Sequence, residues 1–110
     1  MGYDESVAKR VRNAMRRRKG MTEQKMFGGI AFMIEGHMCC GVLEKQLVLR
    51  LGDEKAAEAL QHKHTKPMDF TGRPMKSMVY VLPKGFSSDE DLKTWINSAV
   101  SFVRPLPPKN

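Results

Sequence analysis

Residues 26–51 constrain the fold more than any other part of the sequence. They contain three short apolar runs, with β-branched or aromatic residues at several positions, which are separated by the turn-like segments 35–37 and 44–46. This pattern predicts three consecutive strands joined by tight turns. A meander of this kind must bury one face, and the amphipathic segments on either side of it are suited to cover that face.

Helical patterns lie before and after this meander. Residues 4–18 predict an amphipathic helix with Asp4 as its N-cap, because apolar residues recur there at helical spacing. Residues 53–61 predict a short helix. Residues 87–104 predict the last helix, which opens on a capping-box sequence and carries the clearest periodicity in the chain. Trp95 lies in the middle of its apolar stripe, so we expect the indole to be buried against the meander.

Two more strands are expected after the second helix, a short edge strand around residues 68–70 and a longer one over residues 76–82. Residues 20–23 are expected to connect the first helix to the meander. The predicted fold class is therefore α+β, a two-layer α-β(3)-α-β(2)-α sandwich with a mostly antiparallel five-stranded sheet. We expect one domain over residues 1–104 and a Pro-rich tail over residues 105–110.

Both faces of this predicted sheet are apolar. Residues 30–34 and 78–82 have apolar side chains at odd and even positions alike. Three helices of a two-layer domain cover one face, so the other face is expected to leave an apolar patch. We expect a second copy of the chain to close that patch as a homodimer, which Val79→Asp or Val81→Asp should break. The alternative is that the first helix or the Pro-rich tail folds across it.

The composition indicates a globular protein of a reducing compartment, and the expected location is the cytoplasm. No apolar run approaches the roughly 20 residues that a membrane span needs, so no membrane partner is expected. The two cysteines, Cys39 and Cys40, are adjacent and do not form a disulfide framework. On a regular strand their side chains are expected to point to opposite faces.

No residue spacing specifies a reaction. His62 and His64 offer two metal ligands, but the sequence supplies no further ligand at the spacing of a metal site. We therefore expect no catalytic residue, no cofactor and no metal. The alternative is a small-molecule binder or minor enzyme that uses the loop 62–75 together with Cys39 or Cys40.

The excess positive charge is concentrated at one place. The net charge is +7; seven of the 19 basic residues lie between Lys9 and Lys19, and the other 12 balance the 12 acidic residues. A solvated helix face is one interpretation, and contact with phosphates or an acidic partner is the other, since arginine suits phosphate recognition. The candidate contacts are Arg12, Arg16, Arg17, Arg18 and Lys19.

With these residues in view, the chain resembles the TfoX/Sxy N-terminal domain family over residues 7–102. The stretch 47–53 contributes to the resemblance. The individual residues that carry it are Met26, Phe27, Gly28, Gly29, Gly72, Arg73, Pro74, Met75, Tyr80, Pro83 and Trp95. The resemblance implies the same α-β(3)-α-β(2)-α sandwich, and it supplies no catalytic residue.

The family takes its name from bacterial regulators of natural competence. The resemblance therefore implies a non-enzymatic regulatory or adaptor domain that binds a macromolecular partner in the control of competence or transcription. A protein partner is expected, and the basic helix adds nucleic acid as a second candidate. An oligomeric adaptor that touches no nucleic acid is the third alternative. We expect a single-domain member without the C-terminal domain of the longer regulators.

Overall fold

The computed structural model describes residues 2–26, 28–70 and 73–107, with only the backbone described at residues 69–70 and 73–75. The α-helices of this part are α1 (Glu5–Met15), α2 (Asp53–Ala59) and α3 (Asp89–Val103), and a 3-10 helix spans Pro83–Phe86. The strands are β1 (Met21–Met26), β2 (Gly29–Ile34), β3 (His37–Leu43), β4 (Gln46–Arg50), β5 (Thr65–Phe70) and β6 (Arg73–Val81). They form one antiparallel sheet in the order β1-β2-β3-β4-β6-β5.

The helices begin where their capping residues predict. The Asp4 carboxylate accepts hydrogen bonds from the backbone N–H groups of Ser6 at 2.9 Å and Val7 at 3.1 Å, which satisfies two donors at the start of α1. A hydrogen bond from the Ser6 hydroxyl at 2.6 Å, and then these backbone hydrogen bonds, lower the pKa of Asp4. The Ser88 hydroxyl accepts from the N–H of Asp91 at 3.0 Å at the start of α3. No described helix is long and apolar enough to cross a membrane.

One face of the sheet and the inner faces of the helices form the main core. Alternate residues of β2, β4 and β6 point to this side, as the period-two pattern of a strand requires, and β3 also contributes residues to it. They meet apolar residues of all three α-helices, so the two-layer α+β architecture is confirmed. Its central side chains include Val11, Met15, Phe32, Ile34, Leu47, Leu49, Val81 and Ile96.

The sheet has six strands where five were predicted. The segment expected to connect α1 to the meander belongs to β1, which pairs with β2 from Met21 opposite Ile34 to Met26 opposite Gly29. The residues between Met21 and Met26 are polar and exposed. Backbone pairing, rather than an apolar face, therefore holds this edge strand in place, and apolar periodicity does not reveal it.

The expectation that Cys39 and Cys40 point to opposite faces is wrong. Phe32 pairs with Cys40 and Met33 pairs with Met38, so Cys39 is an extra residue in β3. Such a β-bulge interrupts the alternation of side chains. Both cysteines are fully buried in the main core, and both are free thiols.

The outer face of the sheet carries a smaller apolar cluster. Fully buried Val48 packs there with Met68 and Met78, and half-buried methionine, leucine and tyrosine side chains surround them. Val79 and Val81, proposed above as test positions for a dimer, instead lie fully buried in the main core. Substituting Asp there would unfold the domain rather than test dimerisation. The homodimer stays a prediction.

Trp95 differs from expectation, because it is half-buried rather than buried against the meander. Its indole Nε1–H donates to the carbonyl of Gly85 at 3.0 Å, and its ring meets the His62 ring edge-on at 5.6 Å between centroids. It therefore packs at the side of α3 that faces the 3-10 helix and the loop after α2.

Candidate functional site

The helices α1 and α3 lie side by side and run in the same direction. Arg10 of α1 contacts Asp89 at 3.2 Å, and Arg18, just beyond α1, donates to Asn97 of α3; each pair is 79 positions apart. The two helices are therefore parallel but offset, so that α1 ends beside the middle of α3 and residues 16–19 continue towards the C-terminal end of α3. The first turns are acidic at Glu5 and at residues 89–91. The cations of residues 16–19 and Arg104 lie beyond the C-terminal ends of α1 and α3.

Two of the α1 arginines are paired within the fold. Arg10 forms the ion pair with Asp89, donates to the Phe86 carbonyl at 2.7 Å and lies over the Phe86 ring at 5.6 Å. Arg12 makes a two-pronged contact with Glu23 of β1, at 2.7 and 3.1 Å. The hydrogen bond from Arg12 to Glu23 raises the pKa of the guanidinium. Arg12, predicted as a partner contact, is thus used to tie α1 to the edge strand.

Arg18 points inward rather than to a partner surface. Its Nη2 donates to Oδ1 of Asn97, and its Nε is buried without a hydrogen bond to any described residue. The guanidinium is also close enough to Cys40 to act on the thiol electrostatically, in the direction of a lower pKa. Arg18 therefore joins the α1 end to α3 and the core.

The remaining predicted cations are free. The side chains of Arg16, Arg17 and Lys19 are exposed, and none forms a hydrogen bond or ion pair with another described residue. Arg104, just beyond α3, donates to the carbonyl of Lys19 at 3.0 Å and is itself exposed. The residues Arg16, Arg17, Lys19 and Arg104 form what we call the basic cluster.

Arg104 was not among the residues predicted from sequence. It follows the last helix, 85 positions after Lys19, and no other basic residue lies within four positions of it. Only the parallel arrangement of α1 and α3 brings it beside the other cations. The one sign of its role in the sequence is that Arg104 is a basic residue at the predicted end of the last helix.

The basic cluster concentrates positive charge near the C-terminal ends of two helices. The C-terminal ends of two helices carry partial negative charge, which stabilises nearby cations. Stabilisation of the helix ends does not require several cations side by side. Neighbouring like charges on a helix surface repel one another, at a cost of a few tenths of a kcal/mol per pair. The carboxylate of Glu35 approaches Gly20, the residue after Lys19.

The surroundings of the thiols argue against the alternative in which Cys39 or Cys40 takes part in a reaction. A side-chain hydrogen bond with Cys39, and then burial, raise the pKa of the Cys40 thiol well above its ordinary value. The thiolate is the reactive form, so Cys40 is unreactive in the folded protein at neutral pH. Among the described residues, no group of three or more His, Cys, Asp or Glu side chains is placed to hold a metal ion.

The residues that carry the family resemblance are spread over the fold. Met26 ends β1, and Gly28, with φ of +77°, turns the chain into β2. A Cβ atom at Gly29 would lie 2.2 Å from the carbonyl oxygen of Val42, so only glycine fits there. Tyr80 lies on the outer face of the sheet, and Pro83 begins the 3-10 helix. Their roles are structural.

The other members of this set lie mostly where the structure describes the backbone alone or nothing. Arg73, Pro74 and Met75 begin β6, where only the backbone is described. Phe27 and Gly72 lie outside the described residues. Trp95 lines a surface cleft, which is described below.

Comparison with known proteins gives one result. The model of the TfoX N-terminal domain matches residues 13–103, which is most of the chain. No curated protein and no solved structure matches. The matched region runs from within α1 to the last residue of α3 and so contains the whole sheet. The chain therefore belongs to the TfoX N-terminal domain family.

Proposed function

We propose that this domain is a non-enzymatic binding module of gene regulation that contacts nucleic-acid phosphates through the basic cluster. The observation that carries the proposal is the division of the arginines into two groups. Arg10, Arg12 and Arg18 are bound to other parts of the fold, whereas Arg16 and Arg17 are exposed without a partner in the described structure. Of the five arginines in residues 10–18, three therefore contact other parts of the fold and two are exposed side by side.

The chemistry of the cluster suits phosphates. A guanidinium presents paired N–H donors that match two phosphate oxygens, and it remains charged at every physiological pH. No aromatic side chain belongs to the basic cluster, so it offers no stacking surface and no direct reading of bases. We therefore expect binding that depends little on sequence and strongly on salt.

Charge reversal with a matched control tests the proposal. The double variant Arg16→Glu and Arg17→Glu should lose affinity for a labelled DNA duplex at low salt, because two phosphate contacts become repulsive. The control is Lys9→Glu with Lys55→Glu, which changes the net charge equally at two exposed positions outside the cluster. It should weaken binding much less.

The two results have separate meanings. If the control variant loses as much affinity as the cluster variant, binding follows net charge and the cluster is not the interface. If the unchanged protein does not bind the duplex at low salt, the proposal is wrong. A protein partner stays a prediction, and a pull-down with and without nuclease separates it from contact through nucleic acid.

A further inference from the structure

A cleft of about 340 Å³ lies between the loop after α2, the 3-10 helix and α3. Its volume is at the lower end of the range of about 300–1,000 Å³ that small-ligand pockets occupy. The cleft, which we call the indole cleft, is lined by Trp95, His62, Lys63, His64, Lys84 and Asp91. It therefore combines an aromatic wall with a predominantly basic rim.

The indole is held in one orientation. Its Nε1–H donates to the Gly85 carbonyl at 3.0 Å, and the edge-on His62 ring, tilted by 79°, fixes it from the side of the loop. Trp95 remains half-buried, so part of the ring surface is open to the cleft. A rigid aromatic surface of this kind loses little entropy when a planar ring stacks on it.

Backbone contacts, more than side-chain contacts, hold the loop that forms the rim of the cleft. His64 adopts a left-handed conformation with φ of +67°, which is uncommon for a residue other than glycine. Its carbonyl accepts from the N–H of Leu82 at 2.7 Å, which holds the loop against the chain leading into the 3-10 helix. A Cβ at Gly85 would lie 3.2 Å from the Cβ of His64, so glycine permits this close approach.

The donors at the rim have no partners of their own. Lys63 and Lys84 are exposed, and neither forms an ion pair with a described residue. Each imidazole of His62 and His64 carries at least one N–H donor in either tautomer. Asp91 is the one carboxylate in the lining. An anion at the rim would therefore meet more donors than acceptors.

We propose that the indole cleft binds a phosphorylated planar ring, the chemistry of one nucleotide unit, with Trp95 as the stacking surface and Lys63 and Lys84 as phosphate contacts. A free nucleotide and an unpaired nucleotide of a single strand both present this chemistry, and the experiment below distinguishes them. The volume admits one such unit. Asp91 and Trp95 lie on a different side of α3 from Asp89 and Asn97, which face α1. The inference therefore does not rest on the basic cluster.

Fluorescence of the protein tests the proposal directly, because Trp95 is the only tryptophan in the chain. We expect AMP to quench the indole emission saturably, and we expect adenosine and inorganic phosphate, each alone, to act more weakly. The double variant Lys63→Ala and Lys84→Ala should weaken AMP binding roughly ten-fold, as expected for two lost charge-assisted contacts. The control Lys93→Ala, at the groove between α1 and α3, should bind as the unchanged protein does.

A short oligo(dA) distinguishes the two sources of the ligand. Quenching by AMP at least as strong as quenching by the oligomer assigns the cleft to a free nucleotide. Quenching by the oligomer alone, lost in the double variant, assigns it to a single strand. If neither probe quenches saturably at millimolar concentration, or if the double variant binds as well as the unchanged protein, the proposal is wrong.

Discussion

Arg18 and Asn97 join the end of α1 to the middle of α3 through a hydrogen bond from the guanidinium to the amide oxygen. This contact makes Arg18 part of the structure although it lies within the most basic stretch of the sequence, between Arg17 and Lys19. We predict that Arg18→Ala lowers the free energy of unfolding by about 1 kcal/mol, the usual worth of such a bond.

Urea unfolding of Arg18→Ala, Asn97→Ala and the double variant measures this contribution. The two single losses should not add, because each removes the same hydrogen bond. Additive losses would show that the two side chains stabilise the domain independently.

Gly29 provides a second prediction. A Cβ atom there would overlap the carbonyl oxygen of Val42 on the neighbouring strand, and backbone cannot move aside as a flexible side chain can. Gly29→Ala should therefore cost about 3 kcal/mol, the upper range for overpacking. Gly28→Ala is the comparison, since a Cβ there would meet, among the described atoms, only Leu43 Cδ1 at 4.0 Å, and its left-handed φ should cost about 1 kcal/mol. Equal losses would contradict the register of β2 and β3.

The thiol of Cys40 gives a pH-dependent prediction. Its pKa in the folded protein is raised above the ordinary value of 9.0, whereas the unfolded chain titrates near that value. Below the unfolded pKa both states hold the proton and the contribution to stability is constant. Above it the unfolded state alone releases the proton, so stability falls as pH rises towards the folded pKa.

The measurement is the unfolding free energy at several alkaline pH values, compared between the unchanged protein and Cys40→Ala. The free energy of unfolding should fall more steeply with rising pH in the unchanged protein than in Cys40→Ala, because the other groups that titrate at alkaline pH are the same in both proteins. In addition, iodoacetamide should label the thiols only after unfolding. Rapid labelling of the native protein would contradict the buried bulge.

Much of the fold follows from sequence, but only where burial leaves a periodic pattern. The strand β2 and the helix α3 are buried along one face or more, so their apolar spacing predicts them. The strand β1 is held by pairing with β2 and has exposed polar residues, so it leaves no such pattern. The bulge at Cys39 depends on how β3 pairs with β2. The sequence of one strand alone does not determine that pairing.

The candidate site was predicted less completely, for a related reason. Sequence identifies a group of cations but not which of them find acidic or carbonyl partners within the fold. Arg12 finds Glu23 only because β1 exists, and Arg104 joins Lys19 only because α1 and α3 are parallel. Each of these contacts links residues far apart in the chain, so local spacing carries no sign of them.

The homodimer provides a fourth prediction, now with a suitable variant. Met33 lies on the outer face of β2 and is half-buried, so Met33→Glu places a charge on that face without entering the main core. Sedimentation equilibrium should show a dimer of the unchanged protein that this variant weakens. A monomer at every concentration tested would remove the prediction.

The salt dependence of duplex binding tests the central claim most directly. Contact of the four cations with phosphates predicts that log affinity falls with log salt concentration with a slope of roughly −3.6, about 0.9 for each phosphate neutralised. Arg16→Ala, Arg17→Ala, Lys19→Ala and Arg104→Ala should each reduce the steepness by about 0.9, whereas Arg12→Ala should leave it unchanged. A slope near zero, or an equal reduction in Arg12→Ala, would contradict the assignment of the basic cluster as the nucleic-acid interface.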